Sequence, residues 1–219
     1  MATSREESAR ALLEYWFSSL DDATPLDRQV EPFRTCFARW YGKEPAIDAE
    51  IRARFEPLLL EVTRNGHDWE SELAEWRHAP LGSLALVILL DQLPRNMYRD
   101  TAQMYTHDQL ALSVATLAIR EYETAQLSLV QRMFLYVPLM HVENLTLQQT
   151  MVARFETLAR LAAERSRENV SFFSFALEYA KKHRDVVANF GRFPHRNAIL
   201  GRASTALELE FLKQEGSSF

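Results

Sequence analysis

Apolar residues recur every three or four positions along most of the chain, which is the spacing of one face of an α-helix. No segment shows the sustained alternation of apolar and polar residues that marks a half-buried β-strand. Short links between the periodic segments favour antiparallel neighbours. The pattern therefore predicts an all-α chain of roughly nine to eleven helices, stacked as antiparallel hairpins without a sheet.

Capping residues set several of the predicted helix ends. In a capping box, a Ser or Thr and a Glu or Gln three residues later each bond the other's backbone N–H. Asp48 is predicted as the N-cap of the third helix, and Gly191 as the stop of a long helix that begins near Val170. Capping boxes are predicted at Ser4 and Glu7, Thr106 and Gln109, Ser128 and Gln131, and Thr205 and Glu208.

Prolines and one fully apolar run give further expectations. A proline inside a helix removes a backbone hydrogen bond, so we expect Pro57 to kink or split its helix and Pro138 to interrupt another. Residues 81–90 are apolar on every side, which predicts a helix in the middle of the structure. A short helix is expected at residues 69–77.

Composition narrows the classes of location and partner. A chain of 219 residues with 47% hydrophobic residues suits a single domain, predicted to span residues 1–219. The net charge of −5 and the absence of a long Lys/Arg run argue against nucleic acid as a partner. No apolar run is long enough to span a bilayer, and the first residues do not resemble a signal peptide. We therefore expect a cytoplasmic protein with no membrane partner, and the sequence leaves its oligomeric state open.

Metal and cofactor sites are not indicated. Cys36 is the only cysteine, which excludes an internal disulfide and a zinc cluster of thiolates. His141 and Glu143 are two residues apart, so on a helix they would face nearly opposite ways. No Gly-rich phosphate-binding loop is found. We predict neither a metal nor a cofactor.

Three polar segments break the helical pattern without the usual Gly, Ser or Asn of loops. Residues 91–99 read DQLPRNMYR and residues 190–202 read FGRFPHRNAILGR, so both contain an apolar residue, Pro and Arg-Asn, with one extra residue in the second. Each follows a strongly apolar helix, and we interpret them as two related turns. Between them, residues 137–144 read VPLMHVEN.

Together with Tyr15-Trp16-Phe17 near the start, these strings resemble the bacterial domain of unknown function 924 family. The resemblance covers most of the chain and rests on four separated motifs in order. Leu93, where Phe is expected, is a small departure that concerns packing only. The resemblance implies a superhelix of antiparallel helix pairs like tetratricopeptide repeats, although no regular repeat of that length is visible here. It implies no activity.

The three segments contain more arginines than acids, and burying unpaired arginines is costly. If the segments converge, the surplus builds a positive pocket that suits a phosphate, sulfate or carboxylate group, or an acidic peptide end. We therefore predict a binding protein for a small anion or a peptide carboxylate. Its candidate ligand-binding residues are Arg95, Asn96, Arg99, Arg192, Arg196, Asn197 and Arg202.

Two alternatives remain open at this stage. One is a metal-independent hydrolase of phosphate, sulfate or carboxylate esters, which requires a cavity where a histidine lies beside an acid. No nucleophile motif accompanies its catalytic candidates, which are His141, Glu143, Asp91 and His195. The other is a structural or protein–protein interaction module, in which the polar groups only tie helix ends together and no cavity is expected.

Overall fold

The computed structural model describes residues 5–64, 73–74, 76, 79–122 and 127–218. Within these ranges every regular element is helical, so the all-α prediction is confirmed. A π-helical turn, Ile88–Gln92, joins two of the helices, and 3₁₀ turns lie at Ala102–Tyr105, Arg167–Asn169 and Pro194–Arg196. The helices are α1 Arg5–Phe17, α2 Phe33–Tyr41, α3 Pro45–Thr63, α4 Pro80–Val87, α5 Leu93–Met97, α6 Asp108–Tyr122, α7 Leu129–His141, α8 Leu145–Arg165, α9 Val170–Phe190 and α10 Ala206–Phe211.

The apolar run at residues 81–90 lies at the centre of the core, as its pattern predicts. Every side chain from Leu84 to Leu90 is fully buried, and α4 packs against α1, α6 and α7. The run is not one α-helix, however, because α4 ends at Val87 and the chain continues as the π turn. A single π turn inside a helix is rare and is often found at functional sites. Here it carries Asp91 into the interior.

Helices α7, α8 and α9 form consecutive hairpins. Links of only three and four residues join them, and each helix contacts the next. Such short links require antiparallel neighbours. α8 therefore runs opposite to both α7 and α9, and α7 and α9 run in the same direction. α7 and α9 also contact each other directly. The tetratricopeptide-like superhelix stays a prediction.

Several predicted helix ends are confirmed. Both hydrogen bonds of the capping box occur at Ser128 and Gln131, and again at Thr205 and Glu208. Gly191 ends α9 with a φ of 69°, a left-handed conformation that glycine adopts without steric cost. Ser4, Gly66, which is expected to end the third helix, and most of the expected helix at residues 69–77 lie outside the described residues.

Other predicted ends are wrong. α6 begins at Asp108, two residues after Thr106, so the expected capping box is not formed there. α3 begins at Pro45, which suits the first turn of a helix. Asp48 therefore lies inside that turn, and its carboxylate binds the side chains of Asn96 in α5 and of Arg99 just after it, instead of capping its own helix. Pro57 does not split α3, and α7 continues through Pro138.

The two Arg-Asn segments do not share one conformation. Residues 91–99 are largely helical, because the π turn leads directly into α5 and Pro94 lies in the first turn, where no backbone donor is lost. The expected turn in this segment is therefore wrong. Residues 191–202 are a loop with one short 3₁₀ turn, as expected. In the described part of the chain, no helix combines the length and the apolar character required to cross a membrane.

Candidate functional site

A cavity of about 460 Å³ lies among α2, α7, α8, α9 and the two Arg-Asn segments. This volume is in the range of sites for small molecules. No Asp or Glu occurs among the described residues that line it. The basic and histidine side chains in its wall are Arg28, Lys43, Arg95, Arg99, His141, His183, His195 and Arg196, and the apolar or aromatic ones include Phe37, Trp40, Tyr105, Met133, Phe134, Val137, Met140, Phe155, Phe172, Phe175, Ala176 and Tyr179.

Asp91 and His141 form a hydrogen-bonded pair at the polar part of the wall. The Nδ1 atom of His141 lies 2.7 Å from Oδ1 of Asp91, which is fully buried behind it. The amide of Gln92 donates to the other carboxylate oxygen of Asp91 at 2.5 Å. Facing a carboxylate, Nδ1 of the neutral imidazole carries the proton, so Nε2 is the acceptor.

The surrounding charges set the protonation of this pair. Burial alone would raise the pKa of Asp91, but the positive charge of Arg95 and the hydrogen bond from His141 hold it well below its usual value. Burial lowers the pKa of His141, and the charge of Arg95 lowers it further. At neutral pH the pair is therefore a carboxylate beside a neutral imidazole. A histidine oriented in this way is suited to general base catalysis.

Arg95 is well compensated by carboxylates. Its two terminal nitrogens donate to the two oxygens of Asp108, both at 3.0 Å. Nη1 also lies 3.4 Å from Oδ1 of Asp91 and donates to the backbone carbonyl of the same residue. Asp108 is the first residue of α6 and lies outside the three polar segments, so no sequence signal connected it with Arg95.

Arg196 is compensated less completely, although it is only 7% exposed. Its Nη1 donates to the carbonyl of His141 at 3.0 Å, and its ion-pair partner, Oδ2 of Asp108, lies 3.6 Å away and already binds Arg95. Within the described residues, Nε of Arg196 has no hydrogen-bond partner. Burial lowers the pKa of Arg196, and the nearby charge of Arg95 adds to this effect.

Aromatic rings hold the Arg196 side chain in place. Its guanidinium carbon lies 4.7 Å from the ring centre of Tyr105 and 4.5 Å from that of Phe193. Cation–π contacts of this kind offset part of the cost of burying a guanidinium, but they supply no acceptor for its N–H groups. The side chain is therefore a fixed cation in the wall of the cavity.

Two more histidines line the cavity without adding charge at neutral pH. Burial and the charge of Arg196 lower the pKa of His195 to about 4. Burial lowers the pKa of His183 to about 3, and its Nδ1 lies 2.9 Å from the carbonyl of Tyr179. His195 belongs to the predicted set, whereas His183 was missed, because its position on α9 gave no motif.

The predicted residues Glu143 and Arg202 lie together but outside the cavity lining. Arg202 donates from two nitrogens to the two oxygens of Glu143, at 2.7 and 2.9 Å. Glu143 also accepts the backbone N–H of Phe193 at 2.8 Å, and Arg202 donates to the side chain of Asn197. These bonds fasten the loop after α9 to the end of α7. We call the Arg202–Glu143 pair the loop lock.

Arg192 also lies outside the described lining of the cavity, on the other side of the same loop. It donates to both carboxylate oxygens of Glu208, at 2.6 and 2.8 Å, and to the carbonyl of Ala203. Glu208 is the capping-box residue of α10, so this pair fastens the last helix to the loop. We call the Arg192–Glu208 pair the C-terminal lock.

The remaining predicted residues bind α3. Arg99 pairs with Asp48 at 2.8 and 2.9 Å, and Asn96 donates to the same carboxylate at 2.9 Å. Arg99 also forms part of the cavity wall, whereas Asn96 and Asn197 do not. The structure therefore brings Asp91, Arg95, His141, His195 and Arg196 together around the cavity, with Arg99 nearby.

The expected surplus of arginine is wrong, because it counted only acids inside the polar segments. Asp48, Asp108 and Glu208 come from other parts of the chain and pair with Arg99, Arg95 and Arg192. Arg196 differs from these three arginines, because its ion-pair carboxylate lies 3.6 Å away and its buried Nε has no hydrogen-bond partner in the described structure. In the same part of the chain, no cluster of three or more potential metal ligands occurs.

Comparisons with known proteins agree with the motifs. Residues 12–216 match a family model described as a bacterial protein of unknown function, DUF924. The solved structure of a protein of unknown function from Agrobacterium tumefaciens is 31% identical, with a TM-score of 0.72 over 96% of this chain and 99% of that one. No curated protein matches the sequence. The chain belongs to the bacterial DUF924 family.

Proposed function

We propose that the protein binds a small organic anion in the cavity, with Arg196 as the residue that receives the negative charge. This proposal rests on the state of Arg196, a buried guanidinium in the cavity wall whose ion-pair partner, Asp108, lies 3.6 Å away and is shared with Arg95. A bound anion would supply a second counter-charge and offset the cost of burial. The volume of about 460 Å³ favours a small molecule over an acidic peptide end.

The residues that line the cavity favour a negatively charged ligand. Its described wall contains five Arg and Lys side chains and no acid, although the whole chain has a net charge of −5. Asp91 and Asp108 lie behind the arginines and orient them. A purely structural role for these residues would require no cavity at all.

Thermal shift tests this proposal. The purified protein is screened against sulfate, phosphate, acetate, benzoate and succinate, each at increasing concentration. A ligand at about 100 times its dissociation constant adds about 2.7 kcal/mol to the free energy of unfolding. We expect stabilisation by at least one anion in the wild type and its loss in Arg196→Met.

Arg192→Met is the matched control, because it removes an arginine of the same loop that lies outside the described cavity wall. The control variant is expected to respond to the anion as the wild type does. Equal responses in all three proteins, or no response to any anion, would contradict the proposal.

The Asp91–His141 pair supports a second candidate, hydrolysis of an ester of such an anion. The buried carboxylate orients a neutral imidazole, the geometry required to take a proton from an attacking water. Arg196 would then stabilise the negative charge that develops on the ester oxygens. Rates of 4-nitrophenol release from 4-nitrophenyl phosphate, sulfate and acetate test this role.

A hydrolase predicts that one ester is cleaved faster than in buffer and that His141→Gln removes the excess. The pH profile gives a further check, because a general base with a lowered pKa keeps its activity below pH 6.5. Background rates with all three esters would leave binding as the function.

A further inference from the structure

The wall of the cavity changes from apolar to polar along two parallel helices. On α7, the lining residues Met133, Val137 and His141 are four positions apart and share one face. On α9, the lining residues Phe172 and Ala176 come early and His183 comes late. Because α7 and α9 run in the same direction, their histidines lie at one end of the cavity and their apolar residues at the other.

The remaining wall residues divide in the same way. Arg95 and Arg196 both contact Tyr105, and Arg196 bonds the carbonyl of His141, so these groups form the polar end. Trp40 packs on Phe134, the neighbour of Met133 on α7, with ring centres 4.6 Å apart. From Met133 to His141, α7 rises by about 12 Å, which is the length of wall between the two ends.

The cavity meets solvent at its apolar end, and also beside the exposed wall residues Tyr41 and Lys43. Phe175 is 58% exposed, and Arg28 is exposed with its guanidinium 4.2 Å from the ring centre of Phe37. Arg196 and His183, by contrast, are buried at the polar end. A ligand would therefore place its charged group deep in the cavity and its apolar part toward the entrance.

The charges at the polar end limit the charge of the ligand. Two guanidiniums, Arg95 and Arg196, are accompanied by the carboxylates of Asp91 and Asp108. The three histidines are neutral at pH 7. A dianion would be repelled by the two carboxylates behind the arginines. A single negative charge needs only Arg196, whose positive charge is incompletely compensated because it shares Asp108 with Arg95.

We infer that the ligand is a monocarboxylate with an unbranched apolar chain, held by its carboxylate at Arg196 and by its chain along the apolar face of α7 and α9. This inference rests on the proposed anion site and adds the class of ligand. It explains why a cavity with a cationic end has an aromatic remainder. A small inorganic anion would leave that remainder in contact with water.

Calorimetric titration with the series butanoate, hexanoate, octanoate and decanoate tests the inference. Burying one methylene group strengthens binding by about fourfold, so affinity is expected to rise steeply along the series until the chain reaches the entrance. Octan-1-ol, which has the chain without the charge, is expected to bind far more weakly than octanoate. Inorganic phosphate is expected to bind no better than butanoate.

Replacing each of two alanines on α9 by leucine tests where the apolar chain of the ligand lies. Ala176 lines the cavity between Phe172 and Tyr179, so Ala176→Leu fills the apolar end and is expected to abolish the gain from hexanoate to decanoate. Ala188 is exposed on the same helix and lies outside the described lining, so Ala188→Leu is expected to leave the series unchanged. Butanoate affinity is expected to be the same in both variants.

The outcomes separate the two levels of the proposal. If all carboxylates and phosphate bind equally and Arg196→Met abolishes binding, the anion site stands and the apolar chain is overturned. If octan-1-ol binds as well as octanoate, the cavity recognises the apolar chain and not the carboxylate, and the anion site is overturned. If neither anions nor the alcohol bind, both proposals are overturned.

Discussion

Arg196 and Arg202 lie in one loop, six positions apart, yet their surroundings differ. Arg202 has a carboxylate of its own, with both oxygens of Glu143 within 2.9 Å, and is partly exposed. Arg196 is more deeply buried, and its carboxylate partner at 3.6 Å is the one that binds Arg95. The first arrangement closes a contact between two chain segments, and the second leaves an incompletely compensated cation in the wall of a cavity.

An arginine-rich motif is therefore not by itself a binding site. What decides the role of each guanidinium is the number of carboxylates that the rest of the fold brings to it. A paired arginine at a loop end contributes to stability, because breaking the pair leaves a partly buried charge. An arginine with too few partners is poised to bind an anion.

Asp108→Asn gives the largest expected effect, because it removes the carboxylate that both Arg95 and Arg196 share. Arg95 would then resemble Arg196, with one buried charge fewer to offset it. We expect the free energy of unfolding to fall by about 3 kcal/mol in urea denaturation. We also expect the affinity for the stabilising anion to rise by about tenfold, as measured by calorimetry.

The two effects of Asp108→Asn have opposite signs, which separates them from general damage to the fold. Asp185→Asn is a control, because Asp185 pairs with Arg184 on the exposed side of α9. The control is expected to change stability by less than about 0.5 kcal/mol and anion affinity not at all. Weaker anion binding in Asp108→Asn would show that Asp108 positions Arg196 more than it neutralises it.

Arg202→Met and Arg196→Met compare the two arginines directly. Loss of the loop lock leaves Glu143 unpaired, and we expect Arg202→Met to lower the free energy of unfolding by about 2 kcal/mol. Arg196→Met removes an incompletely paired buried cation and keeps an apolar chain of similar length. Its expected change in unfolding free energy is less than about 1 kcal/mol in either direction. Urea denaturation of both variants gives the comparison.

The same pair of variants is expected to show the reverse order in anion binding. Arg196→Met should lose it, and Arg202→Met should keep the wild-type affinity, since Arg202 is outside the described wall of the cavity. If Arg196→Met proves the less stable of the two, the hydrogen bond from Arg196 to the carbonyl of His141 stabilises the fold by more than the burial of this incompletely paired charge destabilises it.

Local patterns in the sequence predicted the helices and their ends better than they predicted which side chains pair with one another. The capping boxes at Ser128 and Thr205 and the stop at Gly191 depend on residues within four positions, so they could be identified without the fold. The π turn could not, because its five residues have the same apolar pattern as an α-helix. Pro138 does not interrupt α7, because the packing of a helix that is buried along most of its length offsets the hydrogen bond that proline removes.

The candidate site shows the same division. The motifs drew attention to Asp91, His141 and Arg196, which the fold brings together from three separate segments. Asp108 is 12 or more positions away from each arginine that it binds, and nothing in its local sequence marks it as their partner. The apolar half of the site was invisible as a site, because Phe134 and Trp40 have the pattern of ordinary core residues.

The smallest expected effect is the pH dependence of anion binding. Burial and the charge of Arg196 lower the pKa of His195 to about 4, and His141 and Arg202 add to this effect against the opposing charge of Glu143. A bound anion partly neutralises the positive field, so it raises this pKa and protons are taken up at acidic pH. If the rise is about one unit, affinity at pH 5 is about twofold tighter than at pH 8, where the ring is neutral in both states.

Hexanesulfonate is the suitable probe for this measurement, because its own charge does not change between pH 5 and pH 8. Calorimetry at pH 5 in two buffers of different ionisation enthalpy reports the proton uptake directly. His195→Gln removes the titrating ring and is expected to flatten the dependence while keeping the affinity at pH 8. An affinity that falls toward pH 5 would contradict the prediction, because a bound anion stabilises the protonated form of His195 and cannot lower its pKa.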